Sequence, residues 1–235
     1  MKVKFTMFVV VGLMVVGMVG AADQQALLQK GMVSTGTSAT DVRGVEALLY
    51  DQTDNVGTNG VPSQFFPDFG GGAYAADDFV VPAAGWDVEQ VMALGSYSGA
   101  GVGASWDVVI YADSGGMPGT EVFSQAGIAA TSDVAGDVTI DLAPVAILPA
   151  GTYWLSVVCN MNFNPDGQWF WTTRAVQAGG PYHWEDRDGL FGVTACPTWG
   201  PGATVCGVGG GLDPDLLFML NGTVLPVELQ SFSVE

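Results

Sequence analysis

Apolar and polar positions alternate most cleanly over 106–111, where Trp106, Val108 and Ile110 interleave with Asp107, Val109 and Tyr111. A period of two built on β-branched and aromatic residues predicts a strand. Asp113-Ser114-Gly115-Gly116-Met117-Pro118-Gly119 follows, made of the residues that accept tight backbone geometry, and predicts the turn that ends it. Short apolar runs separated by Gly, Pro, Asp and Asn predict further strands over 45–50, 78–81, 86–97, 121–124, 138–142, 152–159, 168–173, 215–220 and 223–232. Loops rich in Gly and Pro are expected from 57 to 74 and in the long stretch before 215. Nine or ten short strands with almost no helical period predict an all-β fold, a two-sheet β-sandwich of jelly-roll type.

The first 22 residues depart from this pattern. Lys2 and Lys4 precede an apolar run over 5–19 and the small residues Gly20, Ala21 and Ala22, the three-part layout of a secretory signal peptide cleaved after Ala21 or Ala22. The competing reading is an uncleaved anchor, since 5–22 is about the shortest apolar stretch that spans a bilayer. Glycines at 12, 17 and 20 and the small-residue exit favour cleavage, and no Cys follows the run to carry a lipid. Residues 23–43 are polar and small, with a short helix expected near 24–30, and read as a flexible leader. Residues 44–235 are the expected sandwich domain, its last strand included.

Composition narrows the function. The chain has 235 residues, 24 acidic and 6 basic, a net charge of -18, yet only 13% is charged and 49% is hydrophobic. The acidity therefore comes from scarce bases rather than a charge-dense tail, and there is ample apolar material for a core. Thirty-four Gly and 12 Pro without a repeat fit many tight turns. Signal cleavage leaves Lys30, Arg43, Arg174 and Arg187 against the 24 acids, a net of -20. Such a chain cannot neutralise a run of phosphates, which excludes a nucleic-acid binder, and it repels anionic lipid. It is expected to be soluble outside the cell and to attract cations such as calcium.

Cys196 and Cys206 are the natural disulfide pair of an exported protein. Cys159 lies in an expected strand beside Val157 and Val158 and reads as a buried thiol acting as a small hydrophobe, with pairing to either loop cysteine left open.

Four motifs occur in order: Tyr50-Asp51-Gln52-Thr53-Asp54-Asn55, Ala75-Ala76-Asp77-Asp78-Phe79, Ile110-Tyr111-Ala112-Asp113-Ser114-Gly115-Gly116-Met117-Pro118-Gly119, and Leu148-Pro149-Ala150-Gly151-Thr152-Tyr153-Trp154-Leu155-Ser156-Val157. Together with Gln168-Trp169-Phe170-Trp171, the 196–206 loop and Pro214-Asp215-Leu216-Leu217-Phe218, they make the chain resemble a secreted bacterial β-sandwich module over roughly residues 45–222. That resemblance implies a fold and an extracellular address, without an activity. Leu225-Pro226-Val227-Glu228-Leu229-Gln230-Ser231-Phe232 resembles the strand that leads into a carboxy-terminal sorting domain in many secreted bacterial proteins. No sorting domain follows here, so free secretion is expected over covalent surface attachment.

Four kinds of chemistry can be weighed. His183 is the only histidine, which rules out a two-histidine zinc site and leaves a Ser-His-Asp triad nothing else to build on; no Gly-x-Ser-x-Gly elbow accompanies it. The Gly-rich runs 70–72 and 207–211 lack the Lys-Ser/Thr of a phosphate cradle. Calcium wants several oxygen ligands, and Asp77 with Asp78 and Asp213 with Asp215 are the candidate ligands for a structural ion, alongside Asp51, Asp54, Asn55, Asp186 and Asp188. No other cofactor is expected. Trp169, Trp171, Tyr182 and Trp184, with Trp199 nearby, are the candidate ligand-binding residues, because exposed aromatic faces hold sugar rings; packing in the core is the competing role. Alternation puts Trp169 and Trp171 on one face and Phe170 on the other. The expectation is a non-catalytic secreted module with an interaction or structural role, meeting a surface protein or an extracellular polysaccharide. A carbohydrate-binding module and an extracellular hydrolase are the alternatives.

Overall fold

The computed structural model describes residues 47–225. The signal peptide, the leader and the chain beyond Leu225 lie outside the described residues. Following the chain, β1 (Ala47–Asp51), β2 (Val56–Pro62), β3 (Gln64–Phe66), β4 (Gly71–Val81) and β5 (Trp86–Ala93) come first. The middle holds β6 (Gly95–Tyr97), β7 (Ser105–Asp113), β8 (Pro118–Ile128), β9 (Ser132–Val134), β10 (Asp137–Leu148) and β11 (Gly151–Asn160). The last are β12 (Trp169–Arg174), β13 (His183–Glu185), β14 (Gly200–Pro201), β15 (Asp215–Leu216) and β16 (Phe218–Val224).

The all-β sandwich expected from the sequence is the observed fold. A five-stranded sheet, ordered β1-β16-β5-β10-β9, faces a seven-stranded sheet, β14-β13-β4-β3-β11-β7-β8. A third, four-stranded sheet was not expected: β12 pairs with β2, β6 and β15. Consecutive strands pass back and forth between the large sheets, from β4 to β5 and from β10 to β11, as in a jelly roll. Both crossings lie at one end, since Trp86 pairs with Leu148 in one sheet and Gly151 with Val81 in the other.

Alternation explains which residues fill the gap. In β7, Trp106, Val108 and Ile110 point inward, and in β10 Val138, Ile140 and Leu142 do the same. They meet Val88, Val91, Leu155, Val157 and Leu220 in one core. Phe79 is its aromatic hub, stacked on Trp86 (6.3 Å) and Tyr153 (5.9 Å) and edge-on to Phe218. Each such side chain contributes roughly 1.5–3 kcal/mol by leaving water.

The stretch from 57 to 74 is not the loop its Gly and Pro content predicts; it contains β2, β3 and the start of β4. Gly57, Gly60 and Gly72 serve close approach, while Gly70, at φ +68, serves the turn after β3. A Cβ at Gly57 would collide with Thr173 and Asp213, and one at Gly72 with the Gln64 carbonyl of the neighbouring strand. The expected strand over 86–97 is split at Leu94, because its second part leaves the five-stranded sheet to pair with β12.

Cys196 and Cys206 form the expected disulfide, with an S–S distance of 2.03 Å. Closing a loop of about ten residues constrains the unfolded chain by roughly 3 kcal/mol. Cys159 is free and fully buried, as its apolar neighbours suggest. No helix among the described residues is long and apolar enough to cross a membrane.

Candidate functional site

Four of the late aromatics named from sequence lie in the core, while Trp199 is half-buried, edge-on to Tyr111 at 5.7 Å. Trp169, Trp171, Tyr182 and Trp184 are all 0% exposed. Each has its polar atom satisfied by a backbone carbonyl: Trp169 Nε1 by Gly136 (2.8 Å), Trp171 Nε1 by Leu217 (2.8 Å), Trp184 Nε1 by Pro62 (2.8 Å) and the Tyr182 hydroxyl by Val208 (3.1 Å). Trp169 and Trp171 do share a face, as alternation requires, but that face is the inner one, with Phe170 half-buried on the other side. A stacking platform needs an exposed ring, so these four supply none; this corrects the expectation of a sugar site built on them.

The candidate calcium ligands are buried and turned onto the protein's own donors. Asp77 Oδ2 accepts from Gln52 Nε2 and Leu216 N, both at 2.7 Å, and Oδ1 from Asp78 N at 3.0 Å. Asp78 Oδ1 accepts from Gly180 N at 2.9 Å. Asp213 Oδ2 accepts from Thr173 Oγ1 at 2.7 Å and Thr58 N at 3.2 Å. Asp215 Oδ2 accepts from Ala178 N and lies 3.8 Å from Arg174 Nη1, while its Oδ1 is buried without a partner. Asp77, Asp78 and Asp215 repel one another, and burial pushes all three carboxyls up, Asp215 to about 7 and Asp78 to about 6. Among the described residues no group of three or more His, Cys, Asp or Glu is placed to hold a metal. Asp186 and Asp51 also close local loops, on Phe191 N and Val193 N and on Thr53 N respectively.

His183 is 3% exposed in β13, its Nδ1 3.1 Å from the Pro181 carbonyl and its ring edge-on to Trp154 at 4.7 Å. Burial lowers its pKa. The Trp154 indole donates to Asp113 at 2.9 Å.

An open apolar concavity lies elsewhere, at the end of the sandwich opposite the two crossings. There a hollow of about 240 Å³ is lined by Phe66, Phe69, Phe163, Gln168, Leu190 and Phe191. Phe69 is 58% exposed, Phe163 46% and Leu190 38%. Phe66, Phe69 and Phe163 form a triangle of rings with centroids 6.1–6.4 Å apart, and Phe191 adds a fourth ring 5.9 Å from Phe66. Three segments converge to build it: the turn after β3, the loop over 161–168 and the loop over 186–199. Asp68 ties the first two together by accepting the Phe163 and Asn164 amides at 3.0 and 3.1 Å. Asp188 ties the first to the third, accepting Gly72 N at 3.0 Å, and the Cys196–Cys206 bridge anchors the far end of the third loop.

Sequence reasoning passed over these phenylalanines because they sit in segments read as loops. The available signal was Phe69, Phe163 and Phe191 standing among Pro, Asp, Asn and Gly, where large apolar side chains have little local reason to be.

Comparison of the chain with protein-family models, with curated proteins and with solved structures gave no match.

Proposed function

We propose that this chain is a non-catalytic, secreted β-sandwich module that holds a partner at the phenylalanine hollow. The observation that carries the reading is the exposure of Phe69, Phe163 and Leu190 around one concavity, on loops pinned by carboxylate–amide bonds and a disulfide. Clustered apolar side chains held open to water lose the stabilisation that burial would give them, and contact with a partner recovers it. The disulfide and the signal-peptide pattern support export. The motif resemblance supports a module without an activity of its own. The turning of His183 onto the Pro181 carbonyl, and of the buried carboxylates onto internal donors, also favours binding over hydrolysis.

The test uses the wild-type protein, the double variant Phe69→Ser/Phe163→Ser, and Leu212→Ser, which alters an 81% exposed apolar side chain elsewhere. Each is immobilised and incubated with culture fluid of the producing cell. A protein retained by wild type and Leu212→Ser but lost from the double variant supports the reading; equal retention by all three overturns it. Retention on insoluble polysaccharide with the same variant dependence would make the hollow a sugar site instead. Turnover of glycoside or ester substrates by the pure protein would return the hydrolase alternative.

A further inference from the structure

We infer that the hollow takes a single large apolar side chain from a cationic segment of another protein, whose flanking Lys or Arg lies against the carboxylates of the 186–197 loop. This rests on the hollow being a contact site. Size argues for one side chain: about 240 Å³ lies below the roughly 300–1,000 Å³ typical of pockets that enclose a whole small molecule. Composition argues for an apolar one, since Gln168 is the only polar lining residue. Interfaces commonly draw most of their binding energy from such a side chain seated in a desolvated pocket.

Charge sets the flanks. The described residues hold nineteen Asp and Glu against Arg174 and Arg187. Both arginines are committed internally, Arg174 to Asp54 and Arg187 to Glu185 and the face of Tyr74. Asp68 sits between Phe66 and Phe69 at the rim of the hollow. Leu190 and Phe191 belong to a loop that also walls a second hollow, of about 420 Å³, lined by residues 186–189 and 192–194 with Pro197. The second hollow is more polar than the first: Asp186 and Asp188 stand in its lining with Arg187, whose charge the buried Glu185 balances, so it is net negative, with Asp188 its exposed carboxylate. One loop thus separates a seat for an apolar anchor from a seat for its positive neighbour. A cationic segment is attracted to this end and an acidic one repelled.

The two ends of the described chain lie away from this hollow. Ala47 pairs with Gly222 and Val224 with Trp86, so both described ends lie at the crossing end of the sandwich. The length of β4, 11 residues or roughly 33 Å at strand rise, separates that end from Phe66.

The test measures fluorescence anisotropy of labelled peptides KKFKK, KKAKK and EEFEE against the full domain, up to about 1 mM. KKFKK is expected to bind at least about tenfold more tightly than either of the others, and to weaken several-fold between roughly 0.05 and 0.5 M salt. Phe69→Ser/Phe163→Ser should lose the preference for KKFKK over KKAKK, Asp188→Asn should reduce its salt dependence, and Leu212→Ser should change neither. If EEFEE binds as well as KKFKK with the same loss in the double variant, the hollow is a contact site and the charge inference is overturned. If KKFKK fails to bind, the cationic occupant is likewise overturned. If the double variant binds KKFKK as wild type does, the hollow itself is overturned. A melting temperature for each variant separates lost contact from lost fold.

Discussion

The carboxylate of Asp68 accepts the amide of Phe163 across 95 residues of chain, at 3.0 Å. Its second oxygen accepts Asn164 N at 3.1 Å, so one exposed side chain fixes the approach of the 161–168 loop to the turn after β3. Asp68→Ala should therefore act on the hollow more than on the fold. Amide hydrogen exchange at Phe163 and Asn164 is expected to accelerate while core amides such as Ile110 are unchanged. Unaltered exchange at both amides would show that the loop is held by its aromatic contacts alone.

Trp171 and Phe163 should respond very unequally to truncation. Trp171→Ala removes a fully buried indole and leaves the Leu217 carbonyl with Leu94 N as its donor, a loss of about 3–5 kcal/mol that comes chiefly from the cavity. Phe163→Ser changes a half-exposed ring on the rim and should cost about 1 kcal/mol or less. Denaturant melts measure both. Comparable losses would mean that the phenylalanine cluster is part of the stabilising core and not a contact surface.

These two residues also show how far the sequence could be read. The strands Ser105–Asp113 and Gly151–Asn160 were legible because alternation and β-branched residues state both the element and its inward face. Val56–Pro62 was not, since strand propensity is weak in a run with two glycines and an asparagine. Its pairing with β12 depends on the clearance those glycines give, which no local pattern reveals. The shared face of Trp169 and Trp171 was legible, but whether that face met water or a second sheet was a question of topology. The hollow was the least legible feature. Phe66 ends β3 while Phe163 and Phe191 come from two loops far from it in sequence, and only the meeting of β3, β4 and β11 at one end brings those segments together.

Calcium should leave the thermal melt unchanged. Asp77 has both oxygens occupied by N–H donors, and Asp78 and Asp213 each have one so occupied. An ion would have to break those bonds and still find further oxygen ligands in a buried site. Scanning calorimetry in millimolar calcium against chelator checks this, and a melting temperature several degrees higher with calcium would restore the structural ion expected from the acidic loops.

Stability should fall as pH rises from about 5 to 8. Burial first and neighbouring carboxylates second raise the folded pKa values of Asp77 (by Asp215 and Asp78), Asp78 (by Asp113, to about 6) and Asp215 (by Asp78, to about 7), against roughly 3.9 in the unfolded chain. Over that interval the folded state binds more protons than the unfolded one, so their favourable contribution is complete below the unfolded value and is lost as pH climbs through the folded values. Glu185, raised chiefly by burial, acts in the same direction. His183 opposes them below about 6.5, because burial keeps it neutral in the folded state while the unfolded chain takes up a proton. It is one group against four carboxyls. Asp215→Asn isolates the effect: the amide oxygen can keep the Ala178 N–H, and the amide nitrogen replaces an oxygen that has no partner. The variant should be more stable than wild type at pH 8, with a flatter dependence of melting temperature on pH. Asp77→Asn, by contrast, sets an N–H group against the donors of Gln52, Leu216 or Asp78 and should be destabilised at every pH. A wild-type melting temperature that rises steadily from pH 5 to 8 would mean that these carboxyls are ionised in the fold and that cations, not protons, balance them.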